Sequence, residues 1–249
     1  MNWKKTYKII GEIQMGTARK TVLFIVEGSS DKAALEKIFK AIYKKNKNID
    51  FRFAHGDISS DENVTVENVC DKIYRIVDEF MKDRKLKKSD IWQIVQIFDT
   101  DGAYIPEYAI LWGDTSKFVY TLTNITCRDI NKVKERNKRK KEIMDFLLAQ
   151  DKIKSLPYEI YFMSCNLDHA LYNKQNLEDD KKQGYADAFY EKFIGKEIKF
   201  IDFLQTDVVN GTPNSYLGSW RYIKEELHSL ERHTNLHVYF IKNPLPQGF

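Results

Sequence analysis

Acidic side chains stand at the ends of the most apolar segments of this chain. Glu27 directly follows an apolar run at residues 22–26, and Asp99 and Asp101 directly follow another at residues 91–98. The first run is continuously apolar and the second is nearly so, as is typical of strands that are buried on both faces of a parallel sheet. Because the carboxyl ends of parallel strands meet at one edge of the sheet, we expect these three carboxylates to converge there.

Two further acids extend this pattern. Asp31 follows Glu27 by one helical turn, and Asp168 falls in the first turn of a helix predicted after a strand at residues 158–163. Carboxylate oxygens are the ligands that Mg²⁺ prefers, and the ion keeps several of its waters. Two such ions stabilise the attacking and leaving oxygens when a phosphodiester bond is broken. The acids therefore predict a metal site that is suited to phosphoryl chemistry.

Each acid taken alone also has a purely structural explanation. Asp31 can complement the dipole at the start of its helix, and Asp101 with Gly102 is a common turn pair. The matched positions of the acids at two strand ends favour a functional site over these separate explanations.

The elements that must position these acids follow from the apolar pattern. Strands are predicted at residues 22–26, 50–54, 91–98, 158–163 and 236–241, with an early strand or hairpin at residues 9–15. Helical periodicity is found after the first strand, at residues 66–81 and at about 219–230. Strand-helix-strand units that cross over with the right hand give parallel strands. We therefore predict a single α/β domain over residues 1–249, with a largely parallel central sheet flanked by helices.

Two segments do not belong to this core pattern. Residues 104–156 are predicted to form a helical insertion whose aromatic side chains pack in the core, and residues 171–204 form a second, mostly helical segment. The insertion contains a basic helix at residues 132–141, which includes the run Lys138, Arg139, Lys140 and Lys141. Such a run is either a solvated helix face or a surface that binds phosphate groups.

Composition limits the class of protein only broadly. The 249 residues, of which 43% are hydrophobic, suffice for one large core, and the net charge is +4. No stretch of about 18 apolar residues occurs, and the first residues are too polar for a secretory signal. The three cysteines have no CxxC spacing, which argues against a disulfide framework or a cysteine-based zinc site. We expect a cytoplasmic protein without a membrane partner.

The segments IVEGSSDKAAL (residues 25–35) and QIFDTDGA (residues 96–103) resemble the Toprim domain. This is the metal-binding α/β module of topoisomerases, primases, small ribonucleases and OLD-type nucleases, in which a glutamate in an EG turn precedes a DxD pair. The ExxxD spacing of Glu27 and Asp31, with Asp168 after Ser164, is most similar to the OLD-type branch. That branch usually has SxE where this chain has SxxxD. It also uses a late lysine, for which Lys242 is the candidate.

The resemblance implies a Toprim-like fold and a Mg²⁺-dependent nuclease, with Mn²⁺ as an alternative ion, that cleaves DNA or RNA. It implies two overlapping sets of site residues: Glu27, Asp99, Asp101 and Lys242 as catalytic, and Glu27, Asp31, Asp99, Asp101 and Asp168 as metal ligands. No GxxxxGK[ST] motif occurs, so an ATPase would be a separate chain. Stand-alone proteins of this kind resemble effectors of bacterial anti-phage systems, in which a partner ATPase senses infection.

Two other interpretations remain open from the sequence. The chain can be a non-catalytic Toprim-like module that binds nucleic acid or a partner protein. Alternatively, DTDG resembles the motif of haloacid-dehalogenase-type phosphatases, in which Asp99 would be the nucleophile. Those enzymes carry Thr or Val two residues beyond the second Asp, where this chain has Ala103, and they would leave Glu27 without a role.

Overall fold

The computed structural model of the protein describes residues 19–44, 49–56, 58–59, 61–206, 208 and 212–244. The strand or hairpin predicted at residues 9–15 lies outside these ranges. The strands are β1 (Lys20–Val26), β2 (Ile49–His55), β3 (Ile91–Asp99), β4 (Ile110–Trp112), β5 (Val119–Tyr120), β6 (Ile125–Cys127), β7 (Lys152–Ile153) and β8 (Leu156–Met163). The helices are α1 (Ser29–Ile42), α2 (Val69–Arg84), α3 (Ile130–Leu148), α4 (Leu167–Tyr172), α5 (Asp179–Phe193), α6 (Ile198–Thr206), α7 (Tyr216–Ile223) and α8 (Leu236–Lys242).

A five-stranded sheet in the order β2-β1-β3-β8-β7 forms the centre of the fold. Strands β2, β1, β3 and β8 are parallel, and the two-residue β7 pairs antiparallel with β8 at the edge. The four strands predicted at residues 22–26, 50–54, 91–98 and 158–163 are all present, so the prediction of an α/β fold with a mostly parallel sheet is confirmed.

Strand β1 has β2 on one side and β3 on the other, so the chain crosses over β1 between β2 and β3. Alternate residues of β1 enter two separate cores. Val22 and Phe24 pack with α1 on one face of the sheet, and Leu23 and Ile25 pack with α2 on the other. A sheet wound in this way opens a crevice at the carboxyl ends of the two strands where the winding reverses. These strands are β1 and β3.

The prediction of a strand at residues 236–241 is wrong, because this segment forms the helix α8. Its residues Leu236, Val238, Tyr239 and Phe240 are all buried. A short helix that is buried on nearly all sides has no polar face, so its periodicity cannot be told from that of a buried strand. The helix predicted at about 219–230 is also displaced, since α7 ends at Ile223.

The segment at residues 104–156 contains a second, three-stranded sheet in the order β4-β6-β5 beside the long helix α3. The prediction that the aromatic residues of this segment pack in the core is only partly confirmed. Tyr104 is 9% exposed, whereas Tyr108 and Trp112 are 76% and 70% exposed. These two rings lie at the protein surface.

The segment at residues 171–204 carries α5 and most of α6, and it completes the core on the α1 face. Phe189 and Phe193 of α5 and Phe200 of α6 pack in the same cluster as α1 and α8. Within the described residues, no helix combines the length and the apolar character that crossing a membrane requires.

Candidate active site

Glu27 joins the ends of two neighbouring strands. It directly follows β1, and its Oε1 atom accepts a hydrogen bond of 3.3 Å from the backbone N–H of Asp99, the last residue of β3. The same oxygen accepts a hydrogen bond of 2.5 Å from the hydroxyl of Ser59, in the loop after β2. The glutamate therefore lies in the crevice that the sheet topology opens.

The DTDG turn after β3 is held by the turn after β8. The Asp101 N–H donates to the carbonyl of Cys165 at 2.6 Å, and the buried Thr100 hydroxyl accepts from the Cys165 N–H at 2.9 Å. Asp101 has φ +48°, a left-handed conformation that aspartate tolerates better than most residues. Gly102 has φ +65°, and a Cβ there would lie 2.7 Å from the Leu230 side chain. The turn therefore needs glycine at this position.

Lys140 brings Glu27 and Asp101 together. Its side chain is fully buried, and its ammonium group contacts Asp101 Oδ2 and lies 3.7 Å from Glu27 Oε1. Burial lowers the pKa of Lys140, but the charges of Asp101 and Glu27 outweigh burial and leave that pKa above its ordinary value. The basic run in the sequence predicted Lys140 to lie on a surface that binds nucleic acid. The structure instead buries it behind the cavity wall, against Glu27 and Asp101.

Two more residues of α3 hold the same turn, and neither of them was predicted from the sequence. Arg136 donates to the Asp101 carbonyl at 2.8 Å, and Asn137 donates to the Gly102 carbonyl at 3.2 Å. A signal for these contacts exists in the sequence. Asn137 and Lys140 fall at helical spacing on the buried stripe that includes Val133, where a polar side chain needs a partner.

Asp99 is the most strongly perturbed acid of the site. Its Oδ1 atom accepts a hydrogen bond of 2.9 Å from the Leu167 N–H at the start of α4. Burial raises the pKa of Asp99 well above its ordinary value, and the charges of Asp31 and Glu27 raise it further. A carboxyl group in this position binds a proton more readily than an exposed one unless a cation compensates its charge.

Asp31 and Asp168 lie on the same side of the sheet edge. Asp31 accepts a hydrogen bond of 2.8 Å from the Gly28 N–H, and burial raises its pKa despite this bond. Asp168 lies 3.7 Å from the ammonium of Lys182. Burial raises the pKa of Asp168 to about 6, with an additional contribution from the charge of Asp31 and an opposing one from Lys182.

A cavity of about 800 Å³ unites these acids. Glu27, Asp31, Asp99, Asp101 and Asp168 all line it, and its walls come from residues 114–120 and 175–179 together with Lys182. The two wall segments are joined, because the Asn176 side chain accepts from the Tyr120 N–H at 2.8 Å and donates to the Tyr120 carbonyl at 2.7 Å. The five predicted metal ligands therefore share one space.

The donor set fits Mg²⁺ in its chemistry, because it consists of carboxylate oxygens. As they stand, however, no three His, Cys, Asp or Glu side chains of the described residues are arranged to hold a metal ion. The Lys140 ammonium occupies the place between Glu27 and Asp101. Binding of a metal here would need these side chains to turn toward it.

Lys242 does not reach this site. It lies in α8, pairs with Glu159 of β8 and is not part of the cavity wall. Glu159 stands four residues before Met163, which pairs with Asp99 in the sheet, so it is about 13 Å from the acidic edge. Of the other predicted nucleic-acid contacts on α3, Lys138 is exposed, and Arg139 and Lys141 are half-buried.

Comparison of the chain with protein-family models, with curated proteins and with solved structures gives no match in any of the three. The chemistry of the site must therefore be inferred from its own residues.

Proposed function

We propose that this protein is a metal-dependent nuclease with a Toprim-like fold and site, which hydrolyses phosphodiester bonds in DNA or RNA with Mg²⁺ or Mn²⁺. One observation carries the proposal. The acids of the IVEG and DTDG segments meet at the crevice between β1 and β3, and they share a cavity with Asp31 and Asp168. This is the position at which open α/β sheets place their ligands.

Each residue of the site has a role in this proposal. Asp99, Asp101 and Glu27, assisted by Asp31 and Asp168, would hold the metal, which supplies a Lewis acid and an activated water. Glu27 projects from a different strand than the DxD pair, and it would also accept a proton from the attacking group. Lys140 does not line the cavity, but its buried ammonium pairs with Asp101 and Glu27 and would hold these two carboxylates in position, so it is a positioning residue.

Substrate and partners belong to the same proposal. The exposed cations of α3 would contact nucleic-acid phosphates. From the resemblance alone, we propose that the chain is an effector of an anti-phage system controlled by a separate ATPase. The free thiols of Cys70, Cys127 and Cys165 support a reducing, cytoplasmic location.

Cleavage assays test this function directly. The purified protein is incubated with single- and double-stranded DNA and RNA in Mg²⁺, Mn²⁺ or EDTA. We expect metal-dependent cleavage that Glu27→Gln reduces by at least about 100-fold. Glu79→Gln, an exposed glutamate of α2, is the matched control and retains activity. Metal-independent binding without cleavage would instead indicate a non-catalytic module, and release of phosphate from a phosphomonoester would indicate a phosphatase.

A further inference from the structure

Two aromatic rings are exposed at β4, the edge strand of the small sheet, and in the helical turn just before it. Among the described residues, Tyr108 and Trp112 are the aromatic side chains with the largest exposed fractions, at 76% and 70%. Leu111 and Leu122 of the same segment are 44% and 53% exposed. These four exposed large apolar side chains fall within residues 108–122, and such a concentration at the surface marks a contact site.

The small sheet continues directly into the cavity wall. Trp112 ends β4, and the wall begins two residues later at Asp114. Leu111 and Val119 lie opposite Thr126 on its two sides, so they share one face of the small sheet. Val119 also lines the cavity. Trp112 alternates with Leu111 along β4 and so lies on the other face of the small sheet, where it is two residues along the chain from the cavity wall.

The acidic residues nearest to the two rings in the sequence each pair with a cation. Glu107, next to Tyr108, pairs with Lys134 at 2.5 Å, and Asp114 pairs with Arg128 at 2.7 Å. Helix α3 packs against β4 and presents Lys132 and Lys138 to solvent. The surface thus combines exposed rings with basic side chains, which is the combination that binds single-stranded nucleic acid.

We propose that Tyr108 and Trp112 stack on unpaired bases of a single-stranded nucleic acid whose backbone follows the cations of α3 toward the cavity. This inference rests on the proposed function, because it names the form of nucleic acid that the same site would act on. A duplex keeps its base faces stacked inside, so it offers no ring to these side chains. The protein therefore selects single strands, or unpaired regions of longer molecules.

Binding of labelled oligonucleotides in EDTA tests the inference without cleavage. Fluorescence anisotropy gives the Kd of the full chain for oligo(dT), for oligo(U) and for a duplex of equal length. We expect tighter binding to single strands, and the two single strands decide between DNA and RNA. The double variant Tyr108→Ala/Trp112→Ala should lose at least about 25-fold in affinity for single strands, because each of the two lost base stacks contributes at least about 5-fold. Its affinity for the duplex should change less than about twofold.

Two further variants separate stacking from other effects. Trp112→Phe keeps a ring and should retain most of the affinity, whereas Ile194→Ala removes an exposed apolar side chain at the end of α5 and should change nothing. An unchanged Kd for single strands in the double variant overturns the inference. So does a self-association of the wild type that the double variant abolishes, since the rings would then form a protein interface. Absence of cleavage by a wild type that shows the stacking effect would overturn the nuclease function and leave the binding surface intact.

Discussion

The charged side chain of Lys140 is completely buried, and its ion-pair partners are Glu27 and Asp101. Lys140→Met removes the charge and keeps the length of the side chain. Because Glu27 and Asp101 are largely shielded from solvent and both lose this ion pair, we expect the free energy of unfolding to fall by about 2–4 kcal/mol in EDTA. Urea denaturation measures this change. Lys138→Met, an exposed lysine of the same helix, should stay within about 0.5 kcal/mol of the wild type.

If Lys140→Met lowered the free energy of unfolding by less than about 1 kcal/mol, the two carboxylates would not depend on this lysine. Added Mg²⁺ provides a second test of the same ion pairs. A cation that binds Glu27 and Asp101 should restore part of the stability in Lys140→Met.

Asp168 makes stability depend on pH. Its pKa is about 6 in the folded protein and 3.8 ordinarily, so the folded state holds the proton more tightly than the unfolded state. The free energy of unfolding therefore falls as the pH rises from about 4 to about 6, by at most about 3 kcal/mol from this group. In Asp168→Asn, urea denaturation across this pH range should show a smaller decrease. An equal decrease in wild type and variant would contradict the burial of this carboxyl.

Asp31 and Asp99 contribute in the same direction, because their pKa values are also raised. The decrease of the free energy of unfolding with rising pH is therefore smaller in Asp168→Asn but is not abolished. Asp83→Asn, on the exposed end of α2, serves as the control and should leave the pH dependence unchanged.

Site residues whose positions follow from the local sequence could be predicted, and those whose positions follow from long-range packing could not. Glu27, Asp99 and Asp101 follow strands that the apolar runs reveal, so their common position could be deduced. Lys140 reaches the site from a separate segment whose docking no local pattern specifies. Lys242 was placed on a strand that is a helix, so its predicted position at the acidic edge was wrong.

At the scale of elements, α3 has two faces with different tasks. Its buried stripe holds the DTDG turn, and outside this stripe it carries the exposed Lys138 and the half-buried Arg139 and Lys141. Replacing these three by Gln should weaken nucleic-acid binding and flatten its salt dependence. The slope of log K against log salt should fall by about 0.7 to 0.9 for each phosphate that these cations no longer neutralise. The variant keeps Lys140 and therefore its ion pairs with Glu27 and Asp101.

A matched control removes the same charge elsewhere. Lys82, Lys85 and Lys87 lie at or beyond the end of α2 and are exposed, and their replacement by Gln should leave the salt slope unaltered. Equal effects in the two triple variants would show that α3 affects nucleic-acid binding only through the net charge of the protein. Anisotropy measurements at several salt concentrations decide between these results.

The elements that the sequence did not reveal are short or uniformly buried. Strands β4 to β7 have two or three residues each, too few for an alternating pattern to appear. The parallel strands β1 and β3 were predictable because each is an apolar run that ends in polar residues, and β8 was predictable because its apolar and polar residues alternate. The strand order, which places β1 and β3 side by side, follows from crossovers that only the complete fold fixes.

At the scale of the whole molecule, the charge is unevenly distributed. The chain has a net charge of +4, yet eight acidic and only two basic residues line the cavity. Such a concentration of negative charge attracts cations and repels a phosphate unless a cation is bound. The overall positive charge and the acidic cavity are compatible if basic surfaces attract the nucleic acid and a divalent ion accompanies it at the site.

This arrangement predicts that divalent metal stabilises the fold. With Mg²⁺ or Mn²⁺ at about 100 times its Kd, the stability should rise by about 2.7 kcal/mol, which corresponds to about 5 to 10 °C in Tm. Asp99→Asn should remove most of this shift. The same substitution should raise the Tm in EDTA, because the amide oxygen can still accept the Leu167 N–H while the repelling charge is gone.

Glu27→Gln distinguishes metal binding from proton transfer in the same melting experiment. If Glu27 acts chiefly on the proton, this variant keeps much of the metal-induced shift and loses cleavage. If Glu27 is chiefly a ligand, both are lost together. Asp83→Asn should behave as the wild type, since its carboxylate lies outside the cavity. A wild-type Tm that responds to neither Mg²⁺ nor Mn²⁺ would leave the acids without their ion, and the proposed nuclease chemistry would fail with it.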